Sequence, residues 1–170
     1  SGARNLAFGS KSMDDTDAGS TSADSDNNIV IGYTAGGGAW ANAKSENNVA
    51  IGSNVMQGVL NGANNNTALG YFALASITSG DTNVGIGSEA GGALTTGIKN
   101  VIMGAQAGDA MTSTNYTTII GYQAGTAINS TGANGTVAIG YEAGAAITSG
   151  VGNHAIGYQA LKAEDDGYYS

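Results

Sequence analysis

Five tyrosines stand directly after a glycine that closes a short apolar run: Tyr33, Tyr71, Tyr122, Tyr141 and Tyr158. An aromatic ring recurring at one position of a fold can stack on the apolar faces of sugar rings, or on its own copies as a structural ladder. Recurrence at one register favours the ladder, because repeats build scaffold before they build sites. The single tryptophan, Trp40, follows Gly36-Gly-Gly-Ala. On a glycine-rich insertion it is either an exposed aromatic for a ligand or a lid over an open end. With Tyr33 it is the first choice for a receptor contact. Asp14, Asp15 and Asp17, with Asp24 and Asp26, place five of the thirteen acids in one short segment. Such a cluster offers oxygen ligands to a hard cation such as Ca²⁺. It carries no EF-hand or glycine-aspartate nonapeptide pattern, so a solvated polar loop is the plainer reading.

Other chemistries lack their residues. The chain has no cysteine and one histidine, His154. A disulfide framework, a thiolate zinc site, a cysteine nucleophile and a multi-histidine metal site are therefore excluded. His154 stands where valine is usual and reads as a packed or seam residue. The formal net charge of −8 disfavours nucleic acid, whose phosphates require a basic surface. No apolar run approaches the ~18 residues of a membrane span. Glycine fills 29 of 170 positions, proline none, and Leu, Ile, Val and Phe together only 29. A thick aliphatic core is out of reach, yet charged residues are only 11 %, too few for the usual disordered composition.

The elements that must position these residues come from an internal repeat. An apolar run ends in an anchor glycine at positions 9, 32, 52, 70, 87, 104, 121, 140 and 157. Half of the spacings are 17 residues, and the longer ones lie mainly toward the N-terminus. The unit reads Asn-x-Ala/Ile-Ile-Gly-Tyr-x-Ala-Gly-x-Ala-Ile-Thr-Ser-Gly. A large apolar residue precedes each anchor, and a mostly β-branched one stands two positions earlier, as in Val84-Gly-Ile86-Gly87. In a strand these two share one face, with a small Ala or Gly on the other. A second apolar column follows seven residues after the anchor: Ile77, Leu94, Met111, Ile128 and Ile147. Thr/Ser pairs such as Thr78-Ser79 and Thr95-Thr96 come next. They read as a turn lining, or as a flat ice- or sugar-binding face. Asparagine at the start of most units suits a turn corner, and stacked corners can form asparagine ladders.

A 17-residue unit is too short for helical or leucine-rich repeats. It fits one coil of an all-β parallel β-solenoid, or β-roll, of about nine coils, roughly 40 Å long at the usual strand spacing. The expected domain spans 1–163, with insertions at 11–27 and 36–47, and 164–170 forms a tail or a junction to a removed domain. The lumen is narrow, filled by one isoleucine column and much alanine. The second apolar face must meet another chain, so an oligomer is expected and isolated monomers should fold poorly. Glu89 and Glu142 share a register but lie three coils apart, roughly 15 Å. That is too far for a glycosidase pair within one chain, whose carboxyls stand ~5–10 Å apart. No nucleophile–base pair is readable, so neither catalysis nor a cofactor is expected.

Units such as Asn66-Thr-Ala-Leu-Gly-Tyr71 and His154-Ala-Ile-Gly-Tyr-Gln-Ala-Leu161 resemble repeat regions of bacteriophage tail fibres and tailspikes. Thr136-Val-Ala-Ile-Gly140 also resembles the related Asn-Ser-Val-Ala-Ile-Gly motif of trimeric autotransporter adhesin heads, which are left-handed β-rolls with shorter coils. The resemblance covers about residues 5–163. It implies a homotrimer in a virion tail fibre, contacting bacterial surface polysaccharide or lipopolysaccharide. Such fibres often end in an intramolecular chaperone that cleaves itself off after a serine, and the terminal Ser170 fits that junction. The alternative is an adhesin head on a bacterial cell surface. A tailspike depolymerase and an ice-binding solenoid are more distant alternatives.

Overall fold

The computed structural model describes residues 4–14, 24–129 and 131–163. Each repeat contributes one three-residue strand: β1 (Leu6–Phe8), β2 (Ile29–Ile31), β3 (Val49–Ile51), β4 (Thr67–Leu69), β5 (Val84–Ile86), β6 (Val101–Met103), β7 (Thr118–Ile120), β8 (Val137–Ile139) and β9 (His154–Ile156). They form one parallel sheet in sequence order, β1 to β9. Repeat position pairs with repeat position throughout, as in Val84↔Val101, Gly85↔Ile102 and Ile86↔Met103. This is the parallel β-solenoid the repeat predicts, one strand per coil. A short 3₁₀ turn, Thr131–Ala133, accompanies the longer coil before β8.

The strand pattern settles which face is inward. The middle residue of β2 to β9 turns into the lumen, and its two neighbours turn out. Val30, Ala50, Ala68, Ile102, Ile119, Ala138 and Ala155 are all buried. Their outward neighbours are half-buried or exposed, with Leu69 at 45 % and Ile29 at 39 %. The facing wall of the lumen is the column Trp40, Leu60, Ile77, Leu94, Met111, Ile128 and Ile147, all buried. An alanine-rich column three residues after each anchor fills the corner between them, from Ala35 through Ala73 and Ala90 to Ala143.

Two corners bend each coil. At the first, the anchor glycine has φ between 123° and 143°, a region closed to most side chains. A Cβ on Gly87 would lie 2.7 Å from the carbonyl carbon and oxygen of Gly104 in the next coil. The second residue after the anchor is left-handed although it is never glycine, as at Phe72 (φ 55°), Glu89 (φ 60°) and Gln106 (φ 56°). That conformation is disfavoured for L-residues. Coil-to-coil hydrogen bonds hold it in place, including Glu89 N–H to the Tyr71 carbonyl (2.8 Å) and Gln106 N–H to the Ser88 carbonyl (2.8 Å).

The opposite corner carries a buried asparagine ladder. Asn83 Nδ2 donates to Asn66 Oδ1 (3.1 Å) and to the Gly97 carbonyl (2.8 Å). Asn83 Oδ1 in turn accepts from Asn100 N–H (3.1 Å) and Nδ2 (3.0 Å). The same pattern links Asn5, Asn28, Asn48 and Asn66. Thr117 ends the run, donating its hydroxyl to Asn100 Oδ1 at 2.8 Å. Among the described residues, no buried side-chain nitrogen or oxygen lacks a hydrogen-bond partner. A narrow lumen can therefore hold polar side chains without the desolvation cost of an orphaned group.

Candidate functional site

Where the two columns beyond the first corner shrink to alanine and glycine, the surface sinks into a groove of about 450 Å³. Ala75, Gly92 and Ala93 form its low floor, with Gln57 and Ser76 beside them. Tyr71 and Phe72 supply an aromatic wall, and Glu89 and Asp109 supply two carboxylates. These residues come from consecutive coils, so the groove runs along the stack over three coil rises, roughly 15 Å. Among the described residues, no Lys, Arg or His lines it.

Each wall is positioned by its column. Tyr71 is half exposed, and its ring lies edge-on to Phe72 at 4.6 Å and 64°. Phe72 is the one apolar residue in a column otherwise built of Lys, Thr, Asn, Glu and Gln. It interrupts a polar ladder and leaves an apolar surface there. Beyond it the ladder resumes: Gln123 Nε2 donates to Gln106 Oε1 (3.0 Å), and Gln106 Nε2 donates to Glu89 Oε2 (3.3 Å). Glu89 is thus the terminal acceptor of a side-chain chain aimed along the stack. Asp109 is partly buried, and that burial raises its pKa above the ordinary carboxylate value. The N–H groups of Asp109 and Ala110 oppose the shift, and the charge of Glu89 reinforces it. The arrangement can accept hydrogen bonds from hydroxyl or ammonium groups while an aromatic surface covers their carbon skeleton.

The sequence-derived candidates separate. The tyrosine column is not one continuous ladder. Tyr122, Tyr141 and Tyr158 stack at 5.7 and 5.2 Å with rings 15° and 10° from parallel. Tyr141 lies between its two stacked neighbours, and all three rings remain at least 42 % exposed. Tyr71 pairs with Phe72 instead, and Tyr33 is exposed one coil before the tyrosine-free third coil. Trp40 corrects the expectation of an exposed or end-capping aromatic. It is 1 % exposed, fills the lumen in register with Leu60, and donates Nε1–H to the Gly36 carbonyl at 2.8 Å. The insertion lets a large ring replace the aliphatic wall residue. Asp14 is exposed, whereas Asp15, Asp17 and Ser170 lie outside the described residues. Among the described residues no group of three acids or histidines could hold a metal ion. The threonine column is occupied by backbone: Thr78 and Thr95 donate their hydroxyls to the Thr95 and Thr112 carbonyls of the following coils at 3.1 and 2.9 Å.

Sequence reasoning missed Phe72 and Asp109 and considered Glu89 only beside Glu142. The signal was present in the columns, as an aromatic in a polar column and an acid on the adjacent coil. Comparison with protein-family models, curated proteins and solved structures finds no match to this chain.

Proposed function

We propose that this chain is a segment of a homotrimeric bacteriophage tail fibre, holding the fibre rigid and presenting its corners to glycans on the bacterial surface. The observation that carries the reading is the outer face of the sheet. Ile31, Ile51, Leu69, Ile86, Met103, Ile120, Ile139 and Ile156 form an outward column over eight successive strands, with a second, mostly β-branched column beside it. A monomer leaves this apolar surface in water, and a contiguous patch of that kind marks an interface. Three rods around an axis would cover it, and closed symmetry would keep the assembly finite. In this reading the role is mechanical and adhesive, without catalysis. Weak contacts to glycans add up through three copies per fibre.

Light scattering under native conditions tests the assembly. The expected mass is three times the 16.7 kDa of one chain. A monomeric mass at micromolar concentration would overturn the shaft reading. Incubation with bacterial polysaccharide should leave its viscosity unchanged, and a fall in viscosity would assign a depolymerase instead.

A further inference from the structure

We propose that the groove between coils three and six binds an amino-bearing oligosaccharide, stacked on Tyr71 and Phe72 and held through its ammonium groups by Glu89 and Asp109. The inference deepens the glycan-binding part of the function proposed above and rests on it.

Four observations on the groove select this ligand class. The wall is aromatic, and rings of this kind cover the apolar face of a pyranose. Among the described residues, the only charges lining the groove are the two carboxylates. An ionised carboxylate accepts hydrogen bonds and cannot donate, so it pairs with hydroxyls and best with cations. An ammonium beside Tyr71 also gains from the ring quadrupole. The same charges repel uronate, sialate and phosphate groups, as does the formal net charge of −8. Finally, the groove spans several coils along the stack, which suits an extended chain of sugars better than a single ring. Its lining lies past the anchor glycine and includes none of the outward aliphatic columns that the trimer would bury.

The test is calorimetric titration of the full chain with four probes: the tetramer of glucosamine, the tetramer of N-acetylglucosamine, the tetramer of galacturonic acid, and tetralysine. The glucosamine tetramer is expected to bind saturably. Acetylation should weaken it about tenfold or more by removing the charge, and the galacturonate tetramer should give no heat. Glu89→Gln and Asp109→Asn should each weaken glucosamine binding about tenfold, and Tyr71→Ala by a similar factor. None of these side chains enters the lumen, and unchanged far-ultraviolet circular dichroism would establish that the variants fold. Tetralysine separates a built site from bulk attraction. If it binds as tightly as the glucosamine tetramer and Tyr71→Ala leaves both unchanged, the proposal is overturned. It is equally overturned by preferential binding of the galacturonate tetramer, or by no saturable binding of any sugar. Light scattering on the same samples keeps the two readings apart: a trimer that ignores glucosamine refutes the groove alone, and a monomer that binds it refutes the shaft alone.

Discussion

At the residue scale, the anchor glycine answers two demands together. Its φ lies where a Cβ is strained, and the next coil's backbone occupies the space that a Cβ would fill. The stack separates these terms. At Gly87 (φ 129°) a Cβ would meet Gly104 at 2.7 Å, whereas at Gly157 (φ 123°) nothing among the described residues lies within 4 Å. Gly157→Ala should therefore cost only backbone strain, about 1–3 kcal/mol. Gly87→Ala adds overpacking of a further ~1–3 kcal/mol. Thermal unfolding at fixed protein concentration checks the difference, and equal losses at the two sites would show that strain alone decides. Asp109 carries a pH signature of its own. Burial raises its pKa in the folded chain. The folded state therefore binds the proton more tightly than the unfolded one. The resulting stabilisation is full in acid and is lost as pH rises from the ordinary carboxylate value through the raised one. Asp109→Asn removes that dependence. Relative to the parent, its melting temperature should be higher at neutral pH, and the advantage should vanish near pH 3. A constant offset at both pH values would contradict the assignment.

At the element scale, the coils trade volume with one another. Coil five is small at two lumen positions, with Gly85 in its strand and Gly91 at its corner. Leu74 from the coil before and Ile102 from the coil after lean into that space. A Cβ on Gly85 would come within 2.6 Å of Leu74 Cγ, and one on Gly91 within 2.8 Å of Ile102 Cδ1. Gly85→Ala alone should destabilise by about 1–3 kcal/mol through overpacking. Leu74→Ala alone should cost ~2–5 kcal/mol through the cavity it leaves. Together they should cost less than their sum by about 1–2 kcal/mol, because the new methyl occupies part of the vacated space. Denaturant melts of the four proteins close the cycle, and strict additivity would refute the compensation. This trade also explains how much of the fold was legible. The 17-residue spacing, the strand register and the asparagine ladder follow from one repeat, because every copy repeats the same constraint. Which strand face turns inward was not legible, since both faces are apolar and the inward residue ranges from Gly85 and Ala68 to Ile102 and Ile119. Trp40 was misread because an insertion looks like a loop in sequence, although here it makes room for a larger wall residue. The groove escaped notice because it is built from departures. Phe72, Gly92 and Asp109 matter where they differ from the consensus, and a search for recurrence passes over such positions.

At the scale of the whole molecule, the lumen and the outer sheet face place different demands on the chain. The lumen is closed by the chain's own residues, from Trp40 to Ile147. The outward column is closed by none of the described residues, and its members in β4 and β6, Leu69 and Met103, remain 45 % and 36 % exposed. Fully burying one aliphatic side chain contributes about 1.5–3 kcal/mol, so a seam of eight or nine rows in each of three chains would dominate the stability of an assembly. A charge placed mid-seam should therefore act on assembly first. Ile86→Lys removes one row's burial from each chain and brings three ammonium groups together at the axis, where each would lose its hydration without a partner. Thr96→Lys, at an exposed position between Leu94 of the lumen wall and the asparagine corner at Asn100, adds the same charge to each chain away from the seam. The expected outcome is a fall in mass from three chains to one for Ile86→Lys, with a lower melting temperature that no longer depends on protein concentration. Thr96→Lys should keep both the mass and the concentration dependence of the parent. If Ile86→Lys also remains trimeric, the outward column is not the seam, and the surface joining the chains must lie on another side of the solenoid.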